Sequence, residues 1–427
     1  MNPRGAGVQE AKRKALGAYY TPPVLVEAAL AQLPRPLRSL ADLSCGDGAW
    51  LAAAARRWPG VALWGLDIDP VAVAAAGARL GASAIVERGD GRRRRGPFDC
   101  VVGNPPWGAG RVGAVRRGDE SVSRFIDAAL ASLTPGGRLC LLIPAAWLEV
   151  AAHRPARRRL LDGAAIERLA HLGDVFAGVH APAALLIARR EPDAVARAAQ
   201  TIATPSGALS QAEVARDPEH AMNPRLSPPD RALVSRLHAE RERLVGRVRF
   251  ILGVVTGDNR RTLGADGEPI VSGTDVAPMH IASPRRRLMV PLDQVQQAAP
   301  RSAYARDKVV YRFVASHPVA AVDRDGRLTL NSANAFAVDD AALDLDFVAA
   351  WLNSSTVRWL HRAGHVLPRV LRSHLERLPL PATAAAERRA IAAAALRGDD
   401  VARDALIMDA YRLDDAARAR VQACPAF

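Results

Sequence analysis

Five short apolar runs, separated by helix-length segments, fill residues 24–188 and restrict what this chain can fold into. Leu40-Ala-Asp-Leu, Ala62-Leu-Trp-Gly-Leu, Cys100-Val-Val-Gly, Leu139-Cys-Leu-Leu-Ile and Ala183-Ala-Leu-Leu-Ile have the length and composition of strands covered on both faces. Trp50–Arg57, Val71–Leu80 and Arg124–Leu133 read as helices between them, and Thr134-Pro-Gly-Gly reads as the end of the last. The pattern predicts an α/β fold, a parallel sheet wrapped by helices. From about residue 191 to 235 the apolar period weakens and Pro205, Pro218, Pro224, Pro228 and Pro229 interrupt it, which predicts a connector with one strand at Thr201-Ile-Ala. Beyond it, Val248-Arg-Phe-Ile-Leu, Val309-Val-Tyr-Arg-Phe-Val and Val319-Ala-Ala-Val lie among glycine turns, and helices resume at Asp344–Arg362. That half is α+β in character. Two domains are expected: 1–235, including the connector, and 236–427.

The four cysteines, Cys45, Cys100, Cys140 and Cys424, form no C-x-x-C pair, so neither a disulfide framework nor a structural zinc site is expected and the chain suits a reducing cytoplasm. No stretch of about 18 apolar residues exists and the N-terminus lacks an apolar core, so neither a membrane span nor a signal peptide is expected. A formal charge of +14 attracts polyanions. Lysine stands only at positions 12, 14 and 308, so nearly all the positive charge is arginine in an Ala/Arg-rich chain, a composition that also arises without any nucleic-acid function. Runs at Arg92–Arg95, Arg116-Arg117, Arg157–Arg159, Arg260-Arg261 and Arg285–Arg287 are the candidate phosphate contacts; taken singly, each is also a solvated face.

The segment Asp42-Leu-Ser-Cys-Gly-Asp-Gly follows the first strand and opens a helix, and its small residues let a ligand approach the backbone. Asp67 ends the next strand, where its carboxylate suits the two hydroxyls of a ribose, although Asp67 or Asp69 can equally cap the helix after Pro70. Asp90, in Arg88-Gly-Asp-Gly, suits the amino group of an adenine, with an ordinary turn aspartate as the alternative. The third glycine of a dinucleotide fingerprint is missing and there is no P-loop, so NAD and ATP recede.

Asn104-Pro105-Pro106-Trp107 directly follows the strand Phe98-Asp-Cys-Val-Val-Gly. Two prolines fix their own φ and push the preceding residue out of helix, so the asparagine is presented stiffly. An aromatic amine is a poor nucleophile because its lone pair is delocalised. Accepting both amine hydrogens, through the Asn104 side-chain oxygen and the Pro105 carbonyl, localises that pair toward an electrophile.

With these motifs in place, the sequence resembles the gamma-class DNA adenine-N6 methyltransferases of restriction-modification systems, TaqI-type enzymes nearest. Gly17-Ala-Tyr-Tyr-Thr-Pro-Pro resembles the family's N-terminal motif, and Thr134-Pro-Gly-Gly-Arg-Leu-Cys-Leu-Leu-Ile-Pro-Ala-Ala-Trp a family strand. Gly173-Asp-Val-Phe-Ala-Gly-Val is similar to the segment whose phenylalanine stacks on the target base, and Trp107 replaces the commoner tyrosine. Val255-Thr-Gly-Asp-Asn, Val310-Tyr-Arg-Phe, Pro318-Val-Ala-Ala-Val-Asp, Trp351-Leu-Asn-Ser and Leu375-Glu-Arg-Leu-Pro-Leu resemble the recognition-domain framework, and the Trp351 segment also reads as core. The resemblance implies a Rossmann-like S-adenosylmethionine-dependent catalytic domain with a C-terminal target-recognition domain. It implies Tyr20, Thr21, Asp42, Ser44, Cys45, Gly46, Asp67, Ile68, Asp90, Gly91 and Asn104 as cofactor contacts. Asn104, Pro105, Pro106, Trp107 and Phe176 are implied to hold a flipped adenine of double-stranded DNA, without a metal. A monomer is expected, with a restriction endonuclease or phage-defence system encoded nearby as its partner. Methylation of RNA or of a protein glutamine, and an inactive DNA-binding specificity protein, are the competing readings.

Overall fold

In a computed structural model, described here for residues 21–425 except 35–37, 94–95, 108–120, 177–180, 240–241 and 366–367, the chain forms two compact units, Met1–Pro228 and Pro229–Phe427. The sequence pattern placed the division a few residues later, inside what is the helix Pro228–His238.

The first unit is built on a nine-stranded sheet. Its strands are β1 (Ser39–Asp42), β2 (Ala62–Asp67), β3 (Ile85–Arg88), β4 (Phe98–Gly103), β5 (Leu133–Pro144), β6 (Ala164–Gly173), β7 (Ala183–Arg190), β8 (Thr201–Thr204) and β9 (Gly207–Ser210). Their order is β3-β2-β1-β4-β5-β7-β6-β8-β9, with β3 through β5 parallel. The chain runs outward from β1 to β3 and then returns to lay β4 on the other side of β1. That reversal opens a crevice beyond the C-terminal ends of β1 and β4, the place where doubly wound sheets bind ligands. Leu40, Leu51, Leu63, Cys100 and Leu142 are buried in the core that the helix Ala49–Arg57 shares with the strands.

Three expectations need correction. The sheet is mixed, not parallel throughout: β7 is antiparallel to both β5 and β6. Residues 174–182 are too few for a helical crossover, so β7 returns beside β6 as a hairpin arm. Thr134-Pro-Gly-Gly does not end the helix, which stops at Ala131, where the Ser132 hydroxyl donates back to the Ala128 carbonyl at 2.7 Å. It lies inside β5 as a bulge, since Phe98 pairs with Leu133 but Cys100 pairs with Arg138, and Gly136 takes φ +78° there. Finally, the expected connector is largely structured. β8 and β9 extend the sheet, and buried Gln211 ties this edge to β6 by accepting from Ile166 N–H and donating to the Ala164 carbonyl, both at 2.8 Å.

The second unit carries β10 (Val248–Ile251), β11 (Leu263–Gly264), β12 (Glu268–Val271), β13 (Val276–Ala277), β14 (His280–Ile281), β15 (Arg286–Leu288), β16 (Lys308–Arg312), β17 (Ala320–Asp323), β18 (Leu328–Thr329) and β19 (Ala333–Val338). They form sheets of order β10-β19-β16-β17, β11-β15-β12-β18 and β13-β14. The helices expected over 344–362 are Leu345–Leu352 and Ser355–Gly364, and Ser354 caps the second through Val357 N–H at 3.2 Å. Trp351 is fully buried and donates to the Tyr411 hydroxyl at 2.8 Å, while the Asn353 amide bonds both the N–H and carbonyl of Ala320. Those contacts make this segment packing and not a reader of bases.

Candidate active site

At the crevice, the turn after β1 is shaped by its own aspartates. The Asp42 carboxylate accepts from Ser44 N–H at 3.0 Å through Oδ1, while Oδ2 is buried with no partner among the described residues. Burial pushes its pKa up to about 8, against the lowering effect of the Ser44 hydrogen bond. Asp67, at the end of β2, reaches the same turn: Oδ2 accepts from Gly46 N–H and Oδ1 from Asp69 N–H, each at 2.9 Å. Burial raises its pKa as well. Asp69, not Asp67, caps the next helix, accepting from Val71 N–H at 3.1 Å. Asp67 therefore aims at the glycine turn, and each oxygen retains a further lone pair.

Gly46 and Gly48 take φ of +54° and +80° in this turn, the region glycine adopts freely. Cys45 is buried, and burial pushes its thiol up, so it is no nucleophile. Gly91 packs so tightly on the turn that a Cβ would stand 1.8 Å from the Leu43 carbonyl oxygen. Beside Asp67 the Ile68 side chain is 55% exposed, an apolar face left open at the rim. Asp90 accepts from Arg92 on both oxygens, at 2.9 and 2.8 Å, and that contact holds its carboxyl below the usual range. The turn-aspartate alternative thus has a concrete partner. Buried Thr21 accepts from the Trp50 indole N–H at 3.3 Å, which ties the Thr-Pro segment to the helix leaving the glycine turn. Tyr20 lies outside the described residues, as do Arg94, Arg95, Arg116 and Arg117.

The Asn-Pro-Pro-Trp segment leaves β4 next to this turn. The Ser44 hydroxyl donates to the Asn104 carbonyl at 3.5 Å, and Gly103, at φ +145°, packs so closely that a Cβ would lie 2.6 Å from Asp42 Oδ1. Asn104 and Pro106 are half-buried, while Pro105 and Trp107 are buried. Phe176, from the segment after β6, meets Trp107 with ring centroids 5.0 Å apart and planes at 88°. The two rings implied to hold a flipped adenine touch each other edge to face here. Gly103 is the site residue that the sequence reading passed over, and its one signal was a glycine ending a strand immediately before the motif.

The arginine clusters divide. Arg157 is fully buried and donates to the carbonyls of Trp147, Val150 and Glu219, which removes it from the candidate phosphate contacts. Arg158 and Arg159 pair with Asp162 and Asp127. Arg260, Arg261 and Arg285–Arg287, in the second unit, are exposed.

Comparison with known proteins agrees with both folds. Residues 25–148 match the methyltransferase small domain family, and residues 268–380 match the TaqI-like C-terminal specificity domain. The trans-aconitate 2-methyltransferase of Streptomyces avermitilis is 30% identical over 172 residues, 37% of this chain and 58% of that protein. The chain therefore spans less than two thirds of that curated relative. The type IIL restriction-modification enzyme MmeI, solved in complex with DNA, superposes with a TM-score of 0.59 over 90% of this chain and 71% of that one, at 11% identity, a likeness of fold. The protein carries a methyltransferase domain with a mixed α/β sheet, followed by a TaqI-like specificity domain.

Proposed function

We propose that the protein transfers a methyl group from S-adenosylmethionine to N6 of a flipped-out adenine in double-stranded DNA, at a sequence chosen by its specificity domain. The observation that carries this reading is the junction of the two turns: Ser44 bonds the Asn104 carbonyl, and Gly103 sits against Asp42, so a nucleoside cradle and an amine grip share one crevice.

The residues present fit the cofactor. Asp42 Oδ2 is a buried acceptor in want of a donor, which the amino group of a methionine moiety would supply. Asp67 has lone pairs left for ribose hydroxyls, Ile68 offers an apolar face for an adenine, and Asp90 would hold its amino group with the acceptor capacity that Arg92 leaves. When bound, the cofactor supplies an electrophilic methyl on a sulfonium. The chain's own part is positional. Asn104 and the Pro105 carbonyl accept the two N6 hydrogens and hold the nitrogen in line, and an aromatic face at Trp107 or Phe176 receives the base, whose extrusion costs a few kcal/mol. No covalent enzyme intermediate is needed.

The test is to map N6-methyladenine in DNA from cells expressing the wild-type chain or Asn104→Ala, and to titrate both purified proteins with S-adenosylmethionine. The expected result is methylation at one recurring site for the wild type, none for the variant, and cofactor binding by the variant that is largely retained. Unmethylated DNA despite tight cofactor binding would move the substrate to another class, and a variant that still methylates would remove Asn104 from the chemistry.

A further inference from the structure

The second unit holds a cluster of three histidines that the methyl-transfer reading does not use. His361 lies on the helix Ser355–Gly364, His365 follows it as the C-cap, and His374 is on the short helix Arg372–Arg377. One ring nitrogen from each lies within 4.8 Å of the others. His361 is buried, whereas His365 and His374 are half-buried and leave the cluster reachable from solvent.

Hydrogen bonding fixes which nitrogens face inward. His361 Nδ1 lies 3.2 Å from the Ser316 carbonyl, which only accepts, so Nδ1 carries the proton and Nε2 the lone pair. That ring-to-carbonyl bond is the usual support behind a metal-bound histidine, setting tautomer and orientation together. Leu371 N–H approaches His374 Nδ1 at 3.4 Å, a long contact that marks that nitrogen as unprotonated and that an ion would displace to take its one lone pair. His361 Nε2 and His374 Nδ1 are 3.3 Å apart. A cation between them would draw the lone pair of each. The spacing matches the roughly 3.3 Å edge of a tetrahedral site whose Zn–N bonds are about 2.0–2.1 Å. His365 stacks on His374 with ring centroids 3.5 Å apart and planes at 7°, so it joins by turning its ring edge inward.

We propose that His361, His365 and His374 form a site for one divalent transition ion of the zinc class, held by three imidazoles with a solvent molecule completing the tetrahedron. Imidazole donors suit zinc, copper and nickel over calcium or magnesium. Because the donors come from two helices, the ion would tie the segment between them, including Arg369, to the body of the specificity domain.

The experiment uses the untagged full-length chain, stripped with chelator and titrated with Zn²⁺ and with Co²⁺. The expected result is one equivalent of either ion, a visible cobalt spectrum of tetrahedral intensity, and a raised thermal midpoint on zinc addition. His365→Ala, at a half-buried helix end where folding is little disturbed, should weaken binding at least ~10-fold, as loss of a single ligand or of its support does. A wild-type chain that takes up no cobalt, or a His365→Ala chain that binds it with unchanged affinity and spectrum, overturns the proposal. So does a proton found shared between His361 and His374 with zinc present.

Discussion

Trp107 and Phe176 meet edge to face, with ring centroids 5.0 Å apart and planes at 88°. On the proposed function, a base that stacks on one of these rings requires the other to turn away. Phe176→Leu keeps apolar volume and should change stability by less than about 1.5 kcal/mol. Removing the aromatic face should weaken binding of a flipped base by ~1–3 kcal/mol, or ~5- to ~150-fold. Binding of a duplex carrying a fluorescent adenine analogue, measured beside cofactor affinity, checks this. Equal base affinity in both proteins would show that Phe176 serves only as packing for Trp107.

Gly103→Ala should be harmful on two counts. The backbone at φ +145° disfavours any side chain, at about 1–3 kcal/mol, and the new methyl would stand 2.6 Å from the Asp42 carboxylate. We expect a lower denaturant midpoint together with a loss of methyl transfer exceeding any loss of DNA affinity. Single-turnover rates beside binding curves separate the two effects. A variant with wild-type stability would mean that the Asp42 side chain moves aside freely.

Asp42 makes stability depend on pH in an unusual direction. In the unfolded chain its carboxyl titrates near 3.8, and in the fold burial raises that to about 8. Between those values the unfolded state binds fewer protons, so this group's contribution to stability falls as pH rises from about 4 to about 8. Asp42→Asn should remove that slope. Urea unfolding of both proteins across the window tests it through their difference, which should grow with pH in favour of the variant. A constant difference would refute the shift.

Lys308 is one of three lysines in an arginine-rich chain, and its ammonium is fully buried against the fully buried carboxylate of Asp323. Asp323 also accepts from the backbone N–H of Arg327 at 3.0 Å. Asp323→Ala leaves a buried charge without its partner and should cost ~3–5 kcal/mol, whereas replacing both residues by apolar ones of similar volume should recover most of that. Chemical denaturation of the single and double variants decides it. A mild single variant would show that water reaches the ammonium.

Much of the methyltransferase fold was legible because its information is local. The runs ending at Asp42, Asp67 and Gly103 became strands, and the order of the motifs around them required only that parallel strands be joined by helices. What the string concealed depends on contacts between distant residues. Whether Asp90 meets a ligand or Arg92 is decided by rotamers, and the burial of Arg157 follows from carbonyls as remote as that of Glu219. The string did carry the i, i+4 pair His361 and His365, but His374 joins them only through the chain reversal that follows, so the cluster of three escaped notice. Thr134-Pro-Gly-Gly carried helix-end chemistry, but pairing with β4 overrode it.

The closeness of Gly103 to Asp42 sets the main chain of one turn directly against the carboxylate of the other. Since only that carboxylate intervenes, any side chain at position 103 would wedge the two turns apart. On the proposed function, a change of target sequence can arise within the TaqI-like specificity domain while this spacing, which lies wholly in the first unit, stays as it is.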